Sequence, residues 1–347
     1  MTASAGWYAG QLRQELTARA RRHARGRAHV ESYGSPPVIV FPPEDGLHGN
    51  FFDASYRAIA ARPEWMRRFD KIHTQGNRSL PKPQLDPRRR WRELDSSMSS
   101  DALLMNVFCA PGVVEAETVR RALGVEVDGA PEFGLKARVP LANGRFDRTE
   151  VDMRLGTLLV EAKLTEGDFQ TREARIVEAY RDFDAVFDRD LLPRVELTQV
   201  RRKEAVEFPE AYSQEYESLI DETMPLALMK ELQENSASVI AADEFNANRE
   251  AEAGYTGYQL IRNVLAAYAA ECSFCVLHDE RRPDLREEWF RVMAAVKSAA
   301  MRVRLKVLTW QELAAFLPED LQEFLDLKYG IVAPGKTASP VGEAVEF

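Results

Sequence analysis

Apolar side chains recur at helical spacing from the start of the chain. Leu12, Leu16 and Ala20, inside the arginine-rich residues 7–30, fall every four positions and predict one amphipathic helix. Residues 31–50 lose that period and are rich in Pro and Gly, so they read as a loop. A helical pattern resumes over residues 54–73 and breaks at Pro63. From Ser99, "SSDALLMNVFCAPG" offers an N-cap oxygen, an apolar run and a Pro-Gly stop, which together predict a helix. "VEAETVRRALG" at 114–124 predicts another, closed by its glycine. The period then drops to two. Phe133, Leu135, Ala137 and Val139 alternate with polar neighbours, "NGR" at 143–145 supplies a hairpin turn, and "TEVDMRL" and "LLVEAKL" follow as strands around Gly156. The second begins with a continuous apolar run, which predicts a central position in the sheet.

Beyond this three-stranded meander, residues 171–256 read as a helical insertion, with Ile176, Tyr180 and Phe183 in one stripe and "MPLALMKELQ" in another. Acidic residues dominate 204–252, so the insertion is expected to face water or protein, away from a polyanion. A helix over 257–270, a strand over 271–278, a helix over 284–301, the strand "RVRLKVLTW" and closing helices from Trp310 complete the pattern. The expected organisation is a basic extension at 1–94, a core domain at 95–332 and a disordered tail at 333–347. No internal repeat is visible.

Composition narrows the class. With 45% hydrophobic and 29% charged residues the chain can bury a sizeable core. It has no apolar run of ~18 residues, which argues against a membrane span. Three cysteines (Cys109, Cys272, Cys275) and no signal peptide point to a reducing cytoplasm. The net charge of -9 argues against indiscriminate nucleic-acid binding, yet the charge is uneven. Three arginines precede Trp91 in "KPQLDPRRRWREL", read either as a phosphate-contacting surface with a stacking ring or as a solvated loop. Cys272 and Cys275, three apart on a strand, face opposite sides and read as buried apolar residues, with no second pair to complete a zinc site.

The stretch "RTEVDMRLGTLLVEAKLTE" at 148–166 changes the picture most. Residues two apart on a strand share a face, so Glu161 and Lys163 point the same way, and Asp152 reaches that surface across the Gly156 turn. Glu150 shares the face of Asp152. Converging carboxylates repel each other and call for a cation. Oxygen ligands favour Mg²⁺, which is held by one or two carboxylates and keeps several waters, and Mn²⁺ can take its place. Beside such an ion an ammonium serves phosphodiester hydrolysis, by orienting water or stabilising developing charge.

Asp152, followed on the next strand by Glu161-x-Lys163, resembles the PD-(D/E)XK superfamily with its restriction endonuclease-like fold. The match covers about residues 95–330, although Val151 stands where the literal motif has proline. The resemblance implies an α/β class with a mixed central sheet flanked by helices, and Asp152, Glu161, Lys163 and Gln259 as catalytic residues. Asp152 and Glu161 would be the metal ligands, with Asp101, Glu132 or Glu150 as further candidates. It further implies a Mg²⁺-dependent deoxyribonuclease acting on DNA, with RNA the other polyanion, and a homodimer if both strands are cut. Two rival readings remain: a binding module of the same fold without catalysis, and a lyase using Lys163 as a Schiff base.

Overall fold

The computed structural model describes residues 5–44, 46–73, 80–81, 90–126, 129–197 and 252–340. At its centre lies a five-stranded sheet of β1 (Glu132–Pro140), β2 (Phe146–Leu155), β3 (Leu158–Ala162), β4 (Ser273–His278) and β5 (Leu305–Thr309). Their spatial order is β5-β4-β3-β2-β1. The first three form an antiparallel meander, and β3, β4 and β5 run parallel. Parallel neighbours require long crossovers, which here include helices. The principal helices are α1 (Ala5–His23), α2 (Ser100–Phe108), α3 (Tyr258–Ala269), α4 (Pro283–Ala294), α5 (Trp310–Ala314) and α6 (Glu319–Tyr329). The architecture is therefore the expected α/β one, a mixed central sheet flanked by helices.

β3 is buried along its whole length because both faces are covered. Leu159 packs with Val264, Phe274 and Trp289 on one side, while Val160 and Ala162 pack with Leu103, Leu277 and Trp310 on the other. That two-sided burial is why "LLV" reads as continuously apolar. Leu12 and Leu16 of α1 join the second cluster, so the first helix of the basic extension shares the main core. Ser99 caps α2 by accepting the Ala102 N–H, as the sequence predicts.

Three expectations need correction. The helix expected over 284–301 is two, α4 and Ala299–Arg302, because Val296 leaves the helix to bridge Phe187 and Ser298 caps the second piece. The described ends of the 171–256 segment carry short helices at Ala174–Val177 and Phe183–Val186 but also strands: Thr171–Glu173, Arg194–Leu197 and Glu252–Thr256 form a small antiparallel sheet. The rest of that segment, including "MPLALMKELQ", lies outside the described residues. The tail expected to be loose from 333 is tied down as far as 340. The Ser339 hydroxyl donates to Asp326, and Arg19 and Arg22 donate to the Ser339 and Pro340 carbonyls.

Candidate active site

Gly156 turns β2 into β3 with φ +57°, a left-handed conformation that glycine adopts without strain. From the turn the strands pair through Leu155↔Leu158, Arg154↔Leu159 and Met153↔Val160, and there the ladder stops. At the parting, Asp152 Oδ2 accepts the Ala162 N–H at 2.8 Å, so the carboxylate takes over a donor the ladder has left unpaired. Asp152 is thus positioned by the divergence of the two strands.

Glu161 and Lys163 are 3% and 6% exposed, and both side chains meet α3. Two strand residues span roughly 6.6 Å and four helix residues rise about 6 Å, so amides at i and i+4 can match acid and base at j and j+2. Gln259 Oε1 accepts from Lys163 Nζ at 3.0 Å, and Asn263 Nδ2 donates to Glu161 Oε2 at 2.8 Å. Thr149 Oγ1 donates to Asn263 Oδ1 at 2.8 Å, which fixes which way the amide points. Lys163 Nζ also pairs with Glu161 Oε1 at 2.8 Å and sits 5.4 Å from the Phe169 ring centroid. Its backbone is held on both sides, by the Leu277 carbonyl at 2.8 Å and by the Trp310 indole N–H at 3.1 Å.

The electrostatics are unbalanced at Asp152. Burial, then the charges of Glu161 and Asp101, push its carboxyl well above the usual range, against the opposing pull of Lys163 and the Ala162 N–H. Burial works against the Lys163 ammonium, but Glu161, Glu166 and Asp152 hold its pKa above the ordinary lysine value. Lys163 is therefore a proton-bearing cation.

A second set of charges borders this one and is compensated within the protein. Arg68 donates to Asp101 at 2.7 Å and to Glu150 at 2.6 Å, Lys71 lies 3.2 and 3.3 Å from the same two acids, and Lys136 is 2.5 Å from Glu150. Gly134, at φ +64° within β1, makes room for the guanidinium, since a Cβ there would lie 2.3 Å from an Arg68 nitrogen.

Of the residues singled out in sequence, the fold brings Asp152, Glu161, Lys163 and Gln259 together. Asp101 and Glu150 adjoin them but are engaged by Arg68 and Lys71. Glu132 stands exposed at the start of β1, paired in register with Arg154, apart from the cluster. Trp91 is buried and donates to the Pro81 carbonyl, so it is not a stacking platform. Cys272 and Cys275 are buried in opposite cores, as their spacing predicts. The holding role of Asn263 escaped sequence reading, although its i+4 spacing from Gln259 is a usable signal. Arg68 escaped it too, and nothing local distinguishes it from other arginines of the extension.

Above Lys163 and Gln259 opens a cleft of about 680 Å³, lined also by Arg13, Glu166, Gln170 and segments of the extension. Arg282, fully buried, donates to the carbonyls of Leu164, Glu166 and Gly167 and so pins the loop that leaves the motif strand. No group of three or more His, Cys, Asp or Glu side chains among the described residues is arranged to hold a metal ion. The donor set at hand is the pair Asp152 and Glu161. A pair suits an ion that keeps much of its water, such as Mg²⁺, and does not suit a four-ligand zinc site. Asp152 Oδ1 has no hydrogen bond among the described residues, and after burial the charges of Glu161 and Asp101 add to what raises its pKa, so the residues fit a divalent cation.

No described helix is long and apolar enough to cross a membrane. No curated protein and no solved structure matches the chain. One family model does match, over residues 11–330, nearly the whole length and including every residue of the cluster. The chain belongs to the family described as restriction endonuclease associating with ARP.

Proposed function

We propose that the chain is a PD-(D/E)XK nuclease that hydrolyses phosphodiester bonds of DNA with the help of Mg²⁺. The observation that carries this reading is the convergence of Asp152, Glu161 and Lys163 where β2 and β3 part, with Gln259 on the Lys163 ammonium. Membership in a restriction-endonuclease family supports it.

Asp152 and Glu161 would hold the ion, Asp152 with its unbonded oxygen and Glu161 with the lone pairs left by Asn263 and Lys163. When bound, Mg²⁺ supplies Lewis-acid polarisation of the scissile phosphodiester. The chain does the rest by positioning and charge. Lys163, kept protonated, donates a hydrogen bond to the attacking water or to a non-bridging oxygen and offsets the negative charge that develops there. Gln259 fixes the direction of that ammonium and Asn263 the rotamer of Glu161. A lysine whose pKa lies above the ordinary value is a poor Schiff-base nucleophile, which disfavours the lyase reading.

The test is cleavage of labelled DNA with Mg²⁺ or Mn²⁺. Cleavage should stop with chelator and in Asp152→Ala and Lys163→Ala. Binding without cleavage in every metal would instead mark a non-catalytic module, and chelator-resistant cleavage trapped by borohydride would mark a lyase.

A further inference from the structure

We infer that the exposed face of the β1–β2 hairpin is the surface on which DNA docks beside the cluster, with Arg138 and Arg148 holding its phosphates, a deepening that rests on the nuclease reading above. Direct register pairs Lys136 with Glu150 and Arg138 with Arg148. Opposed residues share a face, so these four project from one side of the hairpin, while Leu135, Ala137, Val139 and Val151 project from the other into the core with α3. Arg138 and Arg148 are exposed, as are Arg145 in the turn and Phe146, whose ring lies 5.8 Å from the Arg138 guanidinium. β2 leads from this face to the cluster: Arg148 precedes Asp152 by four residues, about 13 Å of strand.

The charge of this face is uncompensated. Directly opposed like charges on a hairpin have Cβ atoms about 5 Å apart and destabilise it. Exposed arginines elsewhere sit on acids: Arg21 on Glu31, Arg121 on Glu117 and Arg291 on Glu287. Among the described residues Arg148 has no ion pair, and Arg138 has only the Phe146 ring. Glu150, the acid beside them, is already shared among Arg68, Lys71 and Lys136. A chain of net charge -9 thus sets two opposed arginines bare next to its candidate site, an arrangement that a polyanion stabilises. Cations closer to the cluster are engaged: Arg68 and Lys71 on Asp101 and Glu150, and Arg13 on the Thr165 carbonyl. Phosphates flanking the scissile one therefore find their cations on the hairpin, and 13 Å spans about four phosphates of a stacked strand at roughly 3.4 Å each. Phe146 adds a ring on which a base can stack.

Binding of labelled DNA to Asp152→Asn, followed by fluorescence anisotropy across a salt series, tests this. Adding Arg138→Gln with Arg148→Gln should weaken binding at least about tenfold, whatever the sequence, and should lower the slope of log affinity against log salt by about 2, one for each lost phosphate contact. The melting temperature should hold or rise, because a like-charge pair is relieved. Arg138→Lys with Arg148→Lys should keep the salt slope. Arg121→Gln with Arg291→Gln, which removes the same charge from two arginines that have acid partners, should change neither affinity nor slope. Unchanged affinity and slope in the folded Arg138→Gln, Arg148→Gln variant, or an equal loss in the Arg121 and Arg291 control, would overturn the docking face and leave the nuclease standing. Binding that depends on Arg138 and Arg148, with no cleavage of the bound DNA by the unaltered chain in any metal, would overturn the nuclease and leave the docking face intact.

Discussion

Glu150 and Asp152 lie two residues apart on β2, and their environments push them in opposite directions. Burial disfavours the charge of both. Around Glu150, Arg68, Lys71 and Lys136 outweigh that cost and draw its pKa down to about 2. Around Asp152 burial is reinforced by Glu161 and Asp101, and the carboxyl is pushed well up. The difference is who supplies the cation. The chain supplies three for Glu150, Arg68 and Lys71 from outside the meander and Lys136 from β1, and leaves Asp152 and Glu161 to share Lys163. A compensated acid is structure; an under-compensated one is what the proposed metal site requires.

The comparison can be broken most severely at the site itself. Asp152→Asn should lower the cleavage rate by at least about 10³-fold, or ~4 kcal/mol of transition-state stabilisation, with the melting temperature of the metal-free protein unchanged or raised. Next comes Arg68→Met, which strands Asp101 and Glu150 without their shared guanidinium. Chemical denaturation should register a loss of about 3–5 kcal/mol, as for other broken buried pairs. Asn263→Leu removes the donor to Glu161 and leaves the Thr149 hydroxyl unmet. Mn²⁺ affinity measured by calorimetry should fall about 10–100-fold, while Thr149→Ser, which keeps the hydroxyl, should bind as the native protein does.

The smallest effect is on pH dependence, and its signs differ at the two acids. Glu150, with its pKa depressed, stabilises the fold above the unfolded value of 4.5, and that contribution is lost as pH falls towards about 2. It is on the order of 2 kcal/mol, and Glu150→Gln should flatten the acid limb of a stability–pH curve. Asp152, with its pKa raised, binds its proton more tightly in the folded metal-free state. Its contribution therefore turns unfavourable as pH rises above the unfolded carboxyl value, and Asp152→Asn should remove that slope.

The meander and its chemistry were legible because strand alternation, a glycine turn and an apolar central strand are local signals. Asp152, Glu161 and Lys163 stand out in sequence for that reason, whereas Gln259 was singled out only through the resemblance to the superfamily. What alternation does not reveal is the parting of β2 from β3 beyond Met153, which turns Asp152 onto the Ala162 N–H. The extension was less legible. Its arginines at 7–30 read as the polar face of an amphipathic helix, but Arg13 donates to the Thr165 carbonyl at 2.6 Å and Arg19 to the Asp326 carbonyl at 2.9 Å, and further along Arg68 inserts beside Gly134. The contacts of Arg13 and Arg19 join residues 152 and 307 positions apart, and no local pattern encodes them. The strands at the described ends of the 171–256 segment were missed for a related reason: they are short, one half-buried and one mostly exposed, so their alternation is weak.

The central claim is that Asp152 and Glu161 form a site short of positive charge, and calorimetric titration of Mn²⁺ into the metal-free protein tests it most directly. The account predicts saturable binding that releases protons at mildly acid pH, because the ion displaces the proton Asp152 holds, and loss of both binding and proton release in Asp152→Asn. Native-like binding in that variant, or no binding by the unaltered chain, would contradict it.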